Sequence, residues 1–318
     1  MKRSIESASA KIILFGEHAV VYGQPAIALP VSDLRAYCEI IENQQLETPV
    51  IIADDFGIQY SILDGTAPAE IQSIINALAE IQDDLEFKLP AHGWQLRLWS
   101  HIPIARGLGS SAAISVALIR AVFGFIGLNL DTNRLLKYSY QLEKFHHGTP
   151  SGIDNTVIAM EKPVKFVRQK EPETFTSPRF HFVIGDTGVV KSTGSVVEEV
   201  SIRYNENFQR FTMLFSCIGK IALDGMGALK NGDVELLGTL MNQNQLMLDE
   251  IGVSCEALDN LIMAARRAGA SGAKLCGAGK GGCMLALAPN AEIAEKIKRE
   301  LLNCGATQCY ISNSGGAS

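Results

Sequence analysis

One stretch constrains this chain more than any other: Pro103-Ile104-Ala105-Arg106-Gly107-Leu108-Gly109-Ser110-Ser111-Ala112-Ala113. Glycines run straight into small residues and then into an apolar, strongly helical segment. Gly107 and Gly109 let a backbone approach a ligand closely, and Ser110 and Ser111 place hydroxyls at a helix start. The first-turn amides of such a helix have no intrahelical partner, so they form a cradle for an anion. An N-capped buried helix behind a glycine turn would carry the same residues, and short glycine patterns discriminate loosely. No G-x-x-x-x-G-K-[ST] occurs, so the cradle is not a P-loop. Gly107-x-Gly109-x-x-Ala112 satisfies a loose dinucleotide fingerprint, with Asp131 as its ribose acid. That fingerprint joins a strand directly to a helix, whereas His101 to Arg106 intervene here. Gly277-x-Gly279-x-x-Gly282 matches too, but an apolar strand follows it.

The chain has 318 residues, a length that favours two domains. Hydrophobic residues make up 47% and charged residues 19%, an ordinary globular composition that excludes a disordered chain. Lys and Arg number 28 against 34 Asp and Glu, for a net charge of −6. An acidic chain without a basic run is a poor nucleic-acid binder. Any anionic ligand must therefore be held locally, by amides, a metal or single lysines. The 7 cysteines form no C-x-x-C pair, which excludes the common zinc and redox motifs and fits a reducing compartment. The start, Met1-Lys2-Arg3-Ser4-Ile5-Glu6, reaches an acid before any apolar run and is not a secretory signal. The most apolar stretch, Ala112 to Leu130, holds Arg120 in its middle and reads as a buried helix, not a membrane span.

The first hundred residues read mainly as strands: Ser4–Phe15, Asp33–Glu42, Val50–Ala53, Ile58–Leu63 and Trp94–Ser100. Pro68–Ile81 interrupts them as a helix with Ile71, Ile74, Ile75 and Leu78 on one face. Ser110–Phe125 is the next helix. Asp131 caps a third, with Leu135, Tyr138, Leu142 and Phe145 as its stripe, and Gly148 and Pro150 end it. Lys162–Pro178, rich in charge and proline, is the expected inter-domain region. Phe180–Asp186 is a strand, and helices follow at Asn207–Leu229, Val234–Glu250 and Cys255–Ala268. Ala273–Cys276 and Cys283–Ala288 are strands around a glycine loop. Asn290 caps Ala291–Asn303, Gly305 closes it, and Thr307–Ser312 is the last strand. That final order approaches a split βαβ arrangement.

Two further glycine-centred motifs carry chemistry. In Ala10-Lys11-Ile12-Ile13-Leu14-Phe15-Gly16-Glu17-His18-Ala19-Val20-Val21-Tyr22-Gly23, an apolar strand starts on a lysine and ends on an acid and a histidine. A solvated strand end is the plainer explanation, but Lys11, Glu17 and His18 together favour a function. In Gly272-Ala273-Lys274-Leu275-Cys276-Gly277-Ala278-Gly279-Lys280-Gly281-Gly282-Cys283, two short strands meet at a glycine loop able to press its backbone on a ligand. Between these, Leu136, Tyr140 and Glu143 share a helix face, and a carboxylate in an apolar row needs a cation or metal. Asp154 follows a Gly-Thr-Pro-Ser-Gly turn, where it is a functional acid or a helix N-cap.

These motifs, in this order, resemble the GHMP small-molecule kinase family over nearly the whole chain. Gly16-Glu17-His18-Ala19-Val20-Val21-Tyr22-Gly23 looks like its mevalonate-phosphorylating branch; a galactokinase would follow Glu-His with Thr-Asp-Tyr. The resemblance implies an α+β, two-lobed GHMP kinase fold: an N-terminal half, 1–165, of mixed sheet and helices, and a C-terminal half, 166–318, built as a split βαβ, ferredoxin-like lobe. It implies ATP-dependent phosphorylation of the primary hydroxyl of mevalonate in the cytoplasm, with no nucleic-acid or membrane partner and a homodimer left open. The alternatives are a sister kinase, such as one acting on phosphomevalonate, or a catalytically silent metabolite sensor. A dinucleotide oxidoreductase is a further rival.

Carried over by residue, Pro103, Gly107, Leu108, Gly109, Ser110, Ser111 and Ala112 would wrap the ATP phosphates. Ser111 and Glu143 would hold Mg²⁺. Asp154 would face the attacking hydroxyl, with Lys11 beside it. Glu17, His18, Lys191 and Thr193 would line the acceptor site, and the loop of Gly277, Ala278 and Gly279 would close over it. Ser9-Ala10 stands where many members have Pro-Gly, and Lys191 where animal members have arginine, which replaces a bidentate grip by a point charge.

Overall fold

The computed structural model describes residues 2–62, 65–85, 89–90, 93–147 and 151–314. The chain forms two compact units, and neither is continuous in sequence. The first comprises Met1–Ser9, Leu34–Ile102 and Ser110–Met160; the second comprises Ala10–Asp33, Pro103–Gly109 and Glu161–Ser318. Two long strands, β1 (Arg3–Phe15) and β2 (Ala26–Glu42), contribute residues to both.

In the first unit, β3 (Val50–Ala53) pairs antiparallel with β4 (Ile58–Ser61). It also runs parallel to β5 (Trp94–Ser100), which pairs antiparallel with β2 from Ala36 to Glu42. Alternation decides which face of β5 is buried: Trp94, Leu96 and Leu98 are inside, while Arg97 is exposed. Helix α1 (Ala69–Asp84) buries Ile71, Ile74, Ala77, Leu78 and Ile81, the stripe that period 3.6 demands. Ile75, expected on that stripe, is only half-buried.

Helix α2 (Ser110–Ile126) is buried along most of its length. Arg120 does not expose it: the guanidinium donates to Ser7 O at 2.7 Å and Ala159 O at 3.0 Å, meeting the demand of a charge among apolar residues. Helix α3 (Thr132–His147) is capped by Asp131, whose Oδ1 accepts from Arg134 N at 2.8 Å. It buries Leu135, Tyr138 and Leu142. The Tyr138 hydroxyl donates to Asp84 at 2.5 Å, tying α3 to the end of α1. The expected terminators Gly148 and Pro150 and the side chain of Phe145 lie outside what is described, as does Leu63. Helix α4 (Ile153–Met160) starts one residue before Asp154, so Asp154 lies within its first turn and is not its N-cap; Asn155 Nδ2 donates to Ser139 O at 2.8 Å and fixes the helix against α3.

The second unit carries β6 (Val164–Phe166), paired with β2 at Ala26–Ala28, and β7 (Glu173–Thr174). β2 therefore starts earlier than Asp33. Pro30, which argues against a strand in sequence, lies between the stretch paired with β6 and the stretch paired with β5, where it removes no ladder bond of either. The main sheet is antiparallel, in the order β11-β8-β10-β9. Its strands are β8 (Phe180–Asp186), β9 (Gly272–Leu275), β10 (Cys283–Ala288) and β11 (Gln308–Ser314). Between β8 and β9 run α5 (Thr193–Glu206), α6 (Phe208–Asn231), α7 (Val234–Ile251) and α8 (Glu256–Ala268); α9 (Ala291–Asn303) joins β10 to β11. The strand order and the β10–α9–β11 connection give the expected split βαβ lobe. Its core joins Leu258, Leu261 and Ile262 of α8 to Ile297 and Leu301 of α9 and to Leu275, Met284 and Ala286 of the sheet. Burying such side chains contributes about 1.5–3 kcal/mol each.

Among the described residues, only α6 is long and apolar enough to cross a membrane. It buries Phe211, Phe215 and Ile218 in this core, as an interior helix does. None of the seven cysteines is paired.

Candidate active site

The second unit brings parts of all three glycine motifs into contact. β1 delivers Lys11, which is buried among apolar neighbours. Its amide donates to Leu108 O and its Nζ to Gly107 O, each at 3.0 Å, so the lysine is bolted to the phosphate-cradle loop. That loop also meets the C-terminal glycine loop, backbone to backbone. A Cβ on Gly107 would stand 3.5 Å from Cys276 O, and one on Gly282 would stand 3.3 Å from Arg106 O. Gly279 has φ +83°, and a Cβ there would fall 2.1 Å from Val253 O, so only glycine fits. Asp186, at the end of β8, pairs with Arg106 Nε at 2.9 Å and accepts from Gly188 N at 2.8 Å.

β1 ends on Gly16, and the chain turns so sharply that His18 takes φ +60°. Ala105 and Lys280, both at φ +58°, are two of the other non-glycine residues in this region of backbone space. Each glycine motif thus holds one such residue, a conformation that costs about 1–3 kcal/mol and gathers at functional sites. The His18 ring is buried, with Nε2 2.9 Å from Ala278 O. A carbonyl only accepts, so Nε2 carries the proton and Nδ1 presents a lone pair. Burial is the main cause that lowers the imidazole's affinity for a second proton; the bond to Ala278 opposes it and the charge of Arg203 adds to it.

Glu17 is fully enclosed. Lys274 Nζ forms an ion pair with Glu17 Oε1 and donates to Leu275 O at 2.6 Å, while Asn244 Nδ2 donates to Glu17 Oε2 at 3.2 Å. Sequence reasoning missed Lys274 and Asn244, though a signal existed for each. Lys274 is the one charge in an apolar strand. Asn244 lies on the α7 face that buries Leu237, Met241 and Leu248. A polar group in such a row demands a partner.

Lys191 and Thr193 belong to this unit as well and are exposed. Lys191 Nζ reaches Glu199 Oε1 on α5 at 2.6 Å. Pro103, Gly107, Leu108 and Gly109 lie on the cradle loop, and Gly277, Ala278 and Gly279 on the loop between β9 and β10.

In the first unit, Ser110 and Ser111 open α2, and the Ser111 hydroxyl donates to Glu143 Oε2 on α3 at 3.4 Å. Glu143 is buried, and Ala112 beside Ser111 is in the core and offers only its backbone. Asp154 stands half-buried in the first turn of α4, where the helix dipole favours its negative charge. Among the described residues no cluster of three or more His, Cys, Asp or Glu side chains could hold a metal unaided. Ser111 with Glu143 offers two hard oxygen donors, the small protein share that a nucleotide-borne Mg²⁺ uses.

Two family models match: GHMP kinases N terminal domain over residues 72–162, and GHMP kinases C terminal over residues 226–307. The chain belongs to the GHMP kinase family, whose members use ATP as phosphoryl donor. It is 38% identical to a mevalonate kinase of Pyrococcus horikoshii, over 94% of this chain and 93% of that one. It is 33% identical to a mevalonate kinase of Methanocaldococcus jannaschii, over 92% and 94%. Among solved structures, L. major mevalonate kinase in complex with R-mevalonate superposes with a TM-score of 0.86 at 28% identity, covering 100% of this chain and 97% of that one.

Proposed function

We propose that this protein transfers the γ-phosphoryl group of ATP to the primary hydroxyl of mevalonate, giving 5-phosphomevalonate and ADP. One observation carries the reading: within one compact unit Lys11 is hydrogen-bonded to the cradle loop, the Glu17–His18 turn is bonded to the glycine motif at Lys274 and Ala278, and the cradle loop and that glycine loop meet backbone to backbone. The likeness to mevalonate kinases over nearly the full chain supports the choice of acceptor.

Phosphoryl transfer needs positioning and charge neutralisation more than covalent chemistry. The amides of Gly107–Ala112 and the start of α2 cradle the phosphates. Ser111 and Glu143 would hold Mg²⁺, which when bound offsets phosphate charge. Asp154 accepts the proton as the hydroxyl oxygen bonds to phosphorus and the bond to ADP breaks; Lys11 offsets the charge that develops. His18, Lys191, Thr193 and the loop Gly277–Gly279 line the acceptor site, and Glu17, which the likeness to the family places there too, is enclosed behind His18 with both carboxylate oxygens held inside the protein. A neutral His18 with its lone pair on Nδ1 suits a hydroxyl donor. The matched regions support a division of the sequence at 165/166, and the unpaired cysteines support a cytoplasmic setting.

The test is a coupled ADP-release assay with mevalonate, with phosphomevalonate and with no acceptor. Turnover with mevalonate alone is expected. A preference for phosphomevalonate would move the assignment to the sister reaction, and acceptor-independent ATP binding without turnover would point to a sensor.

A further inference from the structure

The ion pair between Lys274 and Glu17 joins the first glycine motif to the third, across 257 positions of sequence. Both side chains are sealed from solvent, at 0% and 1% exposure. Desolvating two charges is costly, and a buried pair is often no more stable than an apolar replacement, so bulk stability alone is a weak reason for its presence. Its surroundings suggest a better one. Lys274 Nζ is fixed from a second side by Leu275 O, and Asn244 Nδ2 holds the other oxygen of the carboxylate. Glu17 therefore has both oxygens held from strand β9 and helix α7. The next residue is His18, in its left-handed conformation, whose ring reaches Ala278 three residues beyond Leu275. A side chain held so firmly one position before a strained one fixes the direction in which the histidine ring leaves the chain.

We propose that Lys274 and Asn244 are positioning residues for the acceptor site: they hold the Glu17 side chain immobile, and through it set the His18 ring on Ala278. This rests on the acceptor reading above. The consequence is a selective defect. Weakening the hold disorders the side of the site that receives the acceptor and leaves the phosphate cradle, bolted separately through Lys11, in place.

The experiment is a double-mutant cycle of Lys274→Met and Glu17→Gln, with Asn244→Leu as a second way of loosening Glu17. Lys274→Met is expected to raise KM for mevalonate about tenfold or more while KM for ATP changes less than about twofold, and Asn244→Leu is expected to show the same split more weakly. In the Glu17→Gln background, Lys274→Met should add little, because both act through one carboxylate. The Glu17→Gln/Lys274→Met protein has no unpaired buried charge, so this arm remains readable if Lys274→Met alone does not fold. A second readout needs no turnover: the His18 Nε2–H proton resonance should lose its hydrogen-bonded shift in Lys274→Met and in the double variant. Equal rises in both KM values, additive effects of the two substitutions, or an unmoved His18 resonance would overturn the proposal. Absence of mevalonate turnover in the unmodified protein would instead overturn the acceptor assignment and leave the resonance to decide the positioning role.

Discussion

At the scale of single residues, Asp154 and His18 are open to different tests. Asp154→Asn keeps the shape of the side chain and its place in the first turn of α4, yet removes the carboxylate proposed above as the proton acceptor. Turnover should fall by about 10²–10⁴ with nucleotide affinity retained, the range for loss of a general base; a kcat near that of the unmodified enzyme would show that proton transfer does not use this carboxylate. His18 makes a prediction about stability. Its imidazole is held below the ordinary value of 6.5, chiefly by burial. The unfolded chain therefore binds the proton more readily, and stability is fully present above pH 6.5 and declines as pH falls through and below that value. Urea titrations between pH 5 and 8 should show this decline, and His18→Gln should flatten its share of it. Several of the residues proposed for these roles were legible in the sequence as candidates. Lys11, Glu17 and His18 stood out because a charge at each end of an apolar strand is unusual. Lys274, Asn244 and the Arg106–Asp186 pair did not stand out as site residues, because each takes its meaning from a partner far away in the chain.

At the scale of elements, legibility followed periodicity and punctuation. The bounds of β3, β5, β10 and α9 were readable to the residue because alternation or capping residues mark them. α5 was not: only Val196 and Val200 are buried along it, too few to make a stripe. Packing between elements is hidden in a further way, since small residues look alike wherever they sit. Gly238 in α7 and Gly272 in β9 lie against each other's backbone; a Cβ on Gly238 would stand 2.4 Å from Ser271 O. Gly227 in α6 has nothing within 4 Å of the same atom. Alanine is the better helix former by about 1 kcal/mol at either position. Gly227→Ala should therefore raise the urea midpoint. Gly238→Ala should lower stability by about 1–3 kcal/mol, because the helix must be pushed off the strand. Shifts of the same sign in both variants would mean that α7 and β9 can separate at little cost.

At the scale of the whole molecule, the family halves and the compact units divide the chain differently. The order of motifs places a boundary near residue 165, whereas Ala10–Asp33 and Pro103–Gly109 fold with Glu161–Ser318. Linear sequence hides this because strand β1 changes unit partway, without any break in its pattern. The early segment is not an ornament on the later one. Tyr22 stacks on Phe215 with ring centroids 4.4 Å apart, Ala19 is part of the core cluster, and Glu17 is the counter-charge of Lys274. A fragment of residues 166–318 loses all three. Leaving a buried charge unpaired costs about 3–5 kcal/mol, before the lost apolar contacts are added. Whole domains are stable by only about 5–15 kcal/mol. The fragment 166–318 should therefore show no cooperative thermal transition and poor amide dispersion, although it contains every strand of the β11-β8-β10-β9 sheet. Adding residues 10–33 through a flexible linker should restore much of the dispersion. Lys274→Met in the bare fragment should also help, because it removes the charge that has lost its partner. A sharp, reversible transition in 166–318 alone would show that the early segment only decorates a self-sufficient lobe.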